Sequence, residues 1–102
     1  MPNYRGLNIE PVSFGKVSSD ALFGPLDQEV FDFYEKSKNR YSKALDIGAN
    51  IGVHTSLMLQ QGWHVQAFEP DPEHFKHLVE NTYCRLRVDR HRAAVSNRST
   101  GP

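Results

Sequence analysis

Two carboxylates carry the chemical interest of this sequence, Asp46 and Glu69, each placed at the end of a short apolar run. An acid at a strand end accepts hydrogen bonds from paired hydroxyl groups or faces a cation, and it repels phosphate. Between the two lies Gly48-Ala49-Asn50-Ile51-Gly52. Gly48 has no Cβ, so at a strand exit it can take a positive φ and leave bare backbone for a ligand. Gly52 is expected to let the next helix pack close to its strand. The first-turn N–H groups of that helix would then face outward at the positive end of its dipole.

The glycine spacing restricts the ligand. Dinucleotide enzymes carry G-x-G-x-x-G, whose second glycine gives the pyrophosphate room. Here the pattern is Asp46-x-Gly48-x-Asn50-x-Gly52, and the Asn50 side chain takes that room. This disfavours an NAD-dependent oxidoreductase. Asp46 suits a cationic amino-acid group, which favours S-adenosylmethionine (SAM), a ligand with an ammonium, a sulfonium and no phosphate. Glu69 follows the glycine turn by about twenty residues, where a carboxylate holds both ribose hydroxyls. The plainer alternative for Glu69 is a solvated acid at a strand end.

These residues need elements to position them. Residues 1–25 form a turn-rich leader, with an edge strand expected around Val12 to Val17 and packing roles for Tyr4 and Phe14. Residues 26–102 form the second unit. A helix is expected from Asp27 to about Lys38, with Leu26, Val30, Phe33 and Tyr34 at helical spacing. The first strand is Lys43 to Ile47. The next helix runs from about Ile51 to Gln61 and stops at Gly62. Val53, Leu57 and Leu59 cannot all share one side of it, so it should be covered on more than one face. Strand two is Trp63 to Phe68. Asp71 and Pro72 then start a helix whose buried stripe would be Phe75, Leu78, Val79 and Tyr83. A third strand is expected over Leu86 to Val95, with an irregularity near Asp89, followed by a loop from Ser96 to Pro102. The result is an α/β chain, one mononucleotide-binding half of a doubly wound sheet, with an N-terminal helix.

The chain has 102 residues, zero formal net charge and one cysteine, Cys84. Neutral balance gives no pull towards nucleic acid or an anionic membrane, and no apolar run approaches the length of a membrane span. A single cysteine fits a reducing compartment, so the expected location is cytoplasmic. His74 and His77 sit three apart on a helix, but no third ligand is indicated and no metal is expected. Arg85, Arg87, Arg90, Arg92 and Arg98 form a basic cluster that reads as strand protection. His54 reads as packing, and Cys84 as structural.

Asp46-Ile47-Gly48-Ala49-Asn50-Ile51-Gly52-Val53-His54-Thr55, with Ala67-Phe68-Glu69-Pro70-Asp71-Pro72, resembles the FkbM family of SAM-dependent methyltransferases. Ala93-Ala94-Val95-Ser96 and Gly101 resemble that family's third strand and following turn. The resemblance covers roughly residues 25 to 101. It implies a Rossmann-like class I methyltransferase fold, present only as its first β-α-β-α-β half, and methyl transfer to hydroxyl groups of sugars and natural products. It also implies that Asp46, Gly48, Ala49, Asn50 and Gly52 line the methionine side of SAM and that Glu69 holds the ribose. Pro70 would lie beside sugar and adenine, and Ala94 near the adenine edge.

Complete members of that family continue into a fourth strand with an acidic motif, expected beyond Pro102. The groups that orient the acceptor or take its proton are expected there, so no residue here is assigned a catalytic role. The first strand would then lie at a free sheet edge open to self-association or to a complementing C-terminal half. A non-catalytic SAM-binding or nucleotide-binding module is the alternative.

Overall fold

The computed structural model describes residues 2–9, 12–14 and 17–95. A short antiparallel hairpin, β1 (Ser13–Phe14) and β2 (Val17–Ser18), precedes a 3-10 turn over Ser19–Phe23. Then come α1 (Pro25–Lys36), β3 (Lys43–Ile47), α2 (Val53–Gln60), β4 (His64–Phe68), α3 (Pro72–Asn81) and β5 (Val88–His91). Strands β3, β4 and β5 pair in that order, all parallel. This is the expected first β-α-β-α-β half of a Rossmann-like fold with its N-terminal helix.

Strand alternation sorts the sheet into two unlike faces. Val65, Ala67 and Val88 are buried beneath Met58, Leu59 and Leu78 of α2 and α3. On the other face lie Leu45 and Ile47, 67% and 60% exposed, beside His64, Gln66 and Asp89. A parallel sheet is normally covered on both sides. Among the described residues only one side is covered.

Helix α2 sits at the centre. Val53 and Leu57 join Phe23, Phe31 and Ile51 in a second cluster against the leader residues Tyr4, Leu7 and Ile9, while Met58 and Leu59 face the sheet. It is therefore covered on more than one face, as its sequence requires. Gly62, at φ +89°, follows its end. Helix α3 starts as expected: Asp71 Oδ1 accepts from the Glu73 and His74 N–H groups, both at 2.9 Å, with Pro72 in the first turn.

Several expectations need correction. The inward face of α1 is Phe31, 1% exposed, with Tyr34. Leu26, Val30 and Phe33 point out, at 77%, 39% and 50%. Both sets recur at helical spacing, and the rings of Phe23 and His54 select Phe31. The leader forms a hairpin where a single edge strand was expected. Tyr4 packs edge-on against Phe23 at 4.8 Å, and the Phe14 side chain lies outside the described residues. Helix α3 ends at Asn81, so Tyr83 is 77% exposed and Thr82 is buried instead, its hydroxyl donating to the Leu78 carbonyl at 2.7 Å. Strand β5 has only four residues, pairs regularly at Asp89 and leaves Leu86 and Ala93–Val95 outside. Its last pair, Phe68 with His91, is where β4 ends, so no ladder remains to extend it. Residues 96–102 lie outside the described part.

Candidate functional site

The carboxyl ends of β3, β4 and β5 converge on one crevice. The loop after β3 is hooked onto the end of β4, with the N–H groups of Gly48 and Ala49 both donating to the Phe68 carbonyl at 2.9 Å. Gly48 takes φ +73°, and nothing lies within 4 Å of where its Cβ would stand. Asn50 is also left-handed, at φ +57°, which asparagine tolerates better than most residues. That turn aims the Asn50 N–H at Glu69 Oε1, 2.7 Å away.

Glu69 is the hub. It is only 6% exposed, its N–H donates to the His91 carbonyl, and Oε2 accepts from the Asp71 N–H at 2.9 Å. One side chain thus ties the glycine loop to the start of α3, and its backbone joins β5. A carboxylate offers about four acceptor sites. Two are used here, leaving acceptor capacity for hydroxyl groups. Asn50 Oδ1 is buried without a hydrogen-bond partner among the described residues.

Asp46, one residue before the end of β3, lies on the helix side, where the Thr55 hydroxyl of α2 donates to Oδ2 at 2.5 Å. Burial pushes its carboxyl above the ordinary range. Thr55 and the nearby His54 oppose that shift, and the charge of Glu69 adds to it. Two mutually repelling carboxylates at strand ends make a site for a cation and for hydroxyl donors.

A recess of about 170 Å³ opens beside them, lined by Ile47, Gly48, Phe68, Pro70, Ala94 and Val95. Three expected site residues, Gly48, Pro70 and Ala94, therefore meet here, and Asn50 and Glu69 are joined next to it. Ala49 and Gly52 act differently. The Ala49 side chain is buried in the core. Gly52, at φ +92°, makes its close approach to α3 and not to its strand: a Cβ there would stand 2.8 Å from Leu78 Cδ1. Sequence reasoning missed Thr55, Ile47 and Phe68. A threonine in the first turn of the helix and the last residue of each strand were the available signals.

Several of the remaining candidates have structural partners. The Tyr34 hydroxyl lies 2.9 Å from His54 Nδ1, and Asp27 Oδ1 lies 3.3 Å from Nε2, so His54 ties α1 to α2. Burial, with the charges of Asp46 and Asp27, pushes the Tyr34 phenol up to about 12. Arg87 donates to the Gly62 carbonyl at 2.8 Å, and Arg90 to Thr82. His77 lies 3.5 Å from Glu80. Among the described residues no three His, Cys, Asp or Glu side chains gather as a metal site would need.

Solved structures share this architecture. A hypothetical protein of Thermus thermophilus superposes with a TM-score of 0.69 at 23% identity, covering 93% of this chain and 54% of that one. A SAM-dependent methyltransferase of Agrobacterium tumefaciens gives 0.63 at 13% identity, over 81% and 31%. Human METTL16 appears twice. Its N-terminal domain with S-adenosylhomocysteine (SAH) gives 0.55 at 17% identity, over 92% and 38%. Its catalytic domain with MAT2A 3′UTR hairpin 6 gives 0.57 at 19%, over 88% and 32%. What they share with this chain is the fold, the first part of a Rossmann-like α/β sheet. The chain spans about a third to a half of the length of these structures. No protein-family model matches the sequence, and neither does any curated protein.

The residues at the crevice fit SAM. The open space at Gly48 admits a ligand against backbone, the two carboxylates suit an ammonium and a ribose, and the recess offers apolar walls to a flat base.

Proposed function

We propose that this chain is the cofactor-binding part of a SAM-dependent methyltransferase, an FkbM-like enzyme acting on hydroxyl groups of sugars or natural products. The observation that carries the reading is Glu69, held between the Asn50 and Asp71 N–H groups beside an uncovered Gly48. In this reading Glu69 holds the ribose hydroxyls and Asp46 faces the ammonium. Ile47, Phe68, Pro70 and Ala94 exclude water from the adenine. Gly48 and Asn50 shape the loop along the methionine portion, and Ala49 and Gly52 hold that loop in place. SAM supplies an electrophilic methyl group on its sulfonium.

The crevice offers one wall of a reaction site, and the groups that orient the acceptor oxygen belong to a second wall. A chain that bound SAM without that wall would be a non-catalytic module. Among the described residues, the bare sheet face and the unpaired edge of β3 support a complementing partner: the rest of a doubly wound sheet, or a second copy. Zero net charge supports a neutral hydroxyl acceptor over the RNA seen with METTL16. The exposed free thiol of Cys84 supports a reducing, cytoplasmic setting.

Thermal melting with and without SAH tests the proposal. Ligand at a hundred times its Kd adds about 2.7 kcal/mol to the wild-type chain. Glu69→Gln should lose that gain. No rise with SAH, or an equal rise in the variant, would sink the reading.

A further inference from the structure

Away from the crevice, a groove of about 230 Å³ separates the leader from α2 and α3, lined by Leu7, Ile9, Ser56, Gln60, Asn81 and Arg85. Its floor contains an anomaly. Ser56 is 6% exposed, and its Oγ has no hydrogen-bond partner among the described residues. A buried hydroxyl left unpaired is costly, whereas an alanine there would carry no such penalty.

The other polar groups are held in fixed orientations. Gln60 Nε2 donates to the Arg5 carbonyl at 3.1 Å, and Asn81 Nδ2 to the Ile51 carbonyl at 2.7 Å. With each amide nitrogen turned to a backbone carbonyl, the amide oxygens Oε1 and Oδ1 remain as acceptors. Arg85 adds a cation at the exposed rim, and Leu7 and Ile9 add an apolar wall.

We propose that this groove binds a small carboxylic acid carrying a hydroxyl or amino group. The carboxylate pairs with Arg85, the hydroxyl or amine donates to the Gln60 or the Asn81 oxygen, and Ser56 gains its missing partner. A short hydrocarbon body lies on Leu7 and Ile9. This site is separate from the SAM crevice and does not depend on the reading of that crevice.

The experiment is an amide NMR titration of the full chain with L-lactate, L-alanine and propionate, with sodium chloride as the ionic control. Lactate or alanine should shift the Ser56, Gln60 and Asn81 signals saturably, and which of them does so distinguishes hydroxyl from amine. Propionate, lacking the donor, should bind more weakly. Arg85→Ala should weaken binding by about tenfold or more. Ser56→Ala supplies an independent check, because it should melt higher than wild type without added acid and respond less when acid is added. Shifts equal to those with chloride, insensitivity to Arg85→Ala, or a lower melting temperature for Ser56→Ala would overturn the proposal.

Discussion

Replacing Gly52 by alanine would place a Cβ 2.8 Å from Leu78 Cδ1, on a backbone held at φ +92°. The left-handed conformation alone costs an alanine about 1–2 kcal/mol. Leu78 is fully buried, so its branch has little room to swing, and overpacking adds about 1–3 kcal/mol. The two effects together give roughly 2–5 kcal/mol. Gly48→Ala is the matched comparison: φ is again positive, at +73°, but nothing lies within 4 Å. Only the strain remains there, about 1–2 kcal/mol. Urea unfolding should therefore show the larger midpoint shift for Gly52→Ala at an unchanged m-value. Shortening the neighbour, as Gly52→Ala with Leu78→Val, should show a coupling of at least about 0.5 kcal/mol. Ligand binding should invert the order, since the Gly48 Cβ would stand in the cofactor's path while the Gly52 Cβ points at α3. Equal destabilisation by the two alanines, within about 0.5 kcal/mol, would refute the steric assignment.

Three further outcomes follow from the same contacts. The folded chain raises the Asp46 carboxyl above its unfolded value, so Asp46 favours folding most at low pH and loses that contribution as pH rises through the folded value. Asp46→Asn should remove this dependence in urea melts across the range just above ordinary carboxylate values, stabilise the ligand-free chain at neutral pH and weaken SAH binding. A pH profile unchanged by the variant would count against it. Tyr34→Phe removes the hydroxyl bonded to His54 and should cost about 0.5–1.5 kcal/mol, read by thermal melting. Leu45→Lys with Ile47→Lys puts charge on the bare face of β3, and should reduce any concentration-dependent association in sedimentation without lowering the melting temperature.

The core of the fold was legible because local signals agreed. The bounds of β3, the Asp71 cap of α3 and the stop at Gly62 each rest on one residue type with one backbone consequence. The errors share a different cause. Leu26, Val30 and Phe33 make as good a helical stripe as Phe31 and Tyr34, and only the position of Phe23 and His54 decides between them. The end of β5 depends on where its partner stops, which its own residues do not encode. At the site, Glu69 was readable from its distance to the glycine turn, but its bridge between Asn50 and Asp71 required the left-handed turn at Asn50. Gly52 was recognised as a close-packing glycine and given the wrong neighbour, because Leu78 lies on a helix two elements further along the chain.

The ligand of the crevice at Asp46, Gly48 and Glu69 decides the function. Isothermal titration of the chain with SAH, run in parallel with NADH, measures it directly. One saturable site for SAH that Glu69→Gln abolishes is expected, with no heat from NADH beyond dilution. Binding of NADH in place of SAH, or SAH binding untouched by the loss of Glu69, would contradict it.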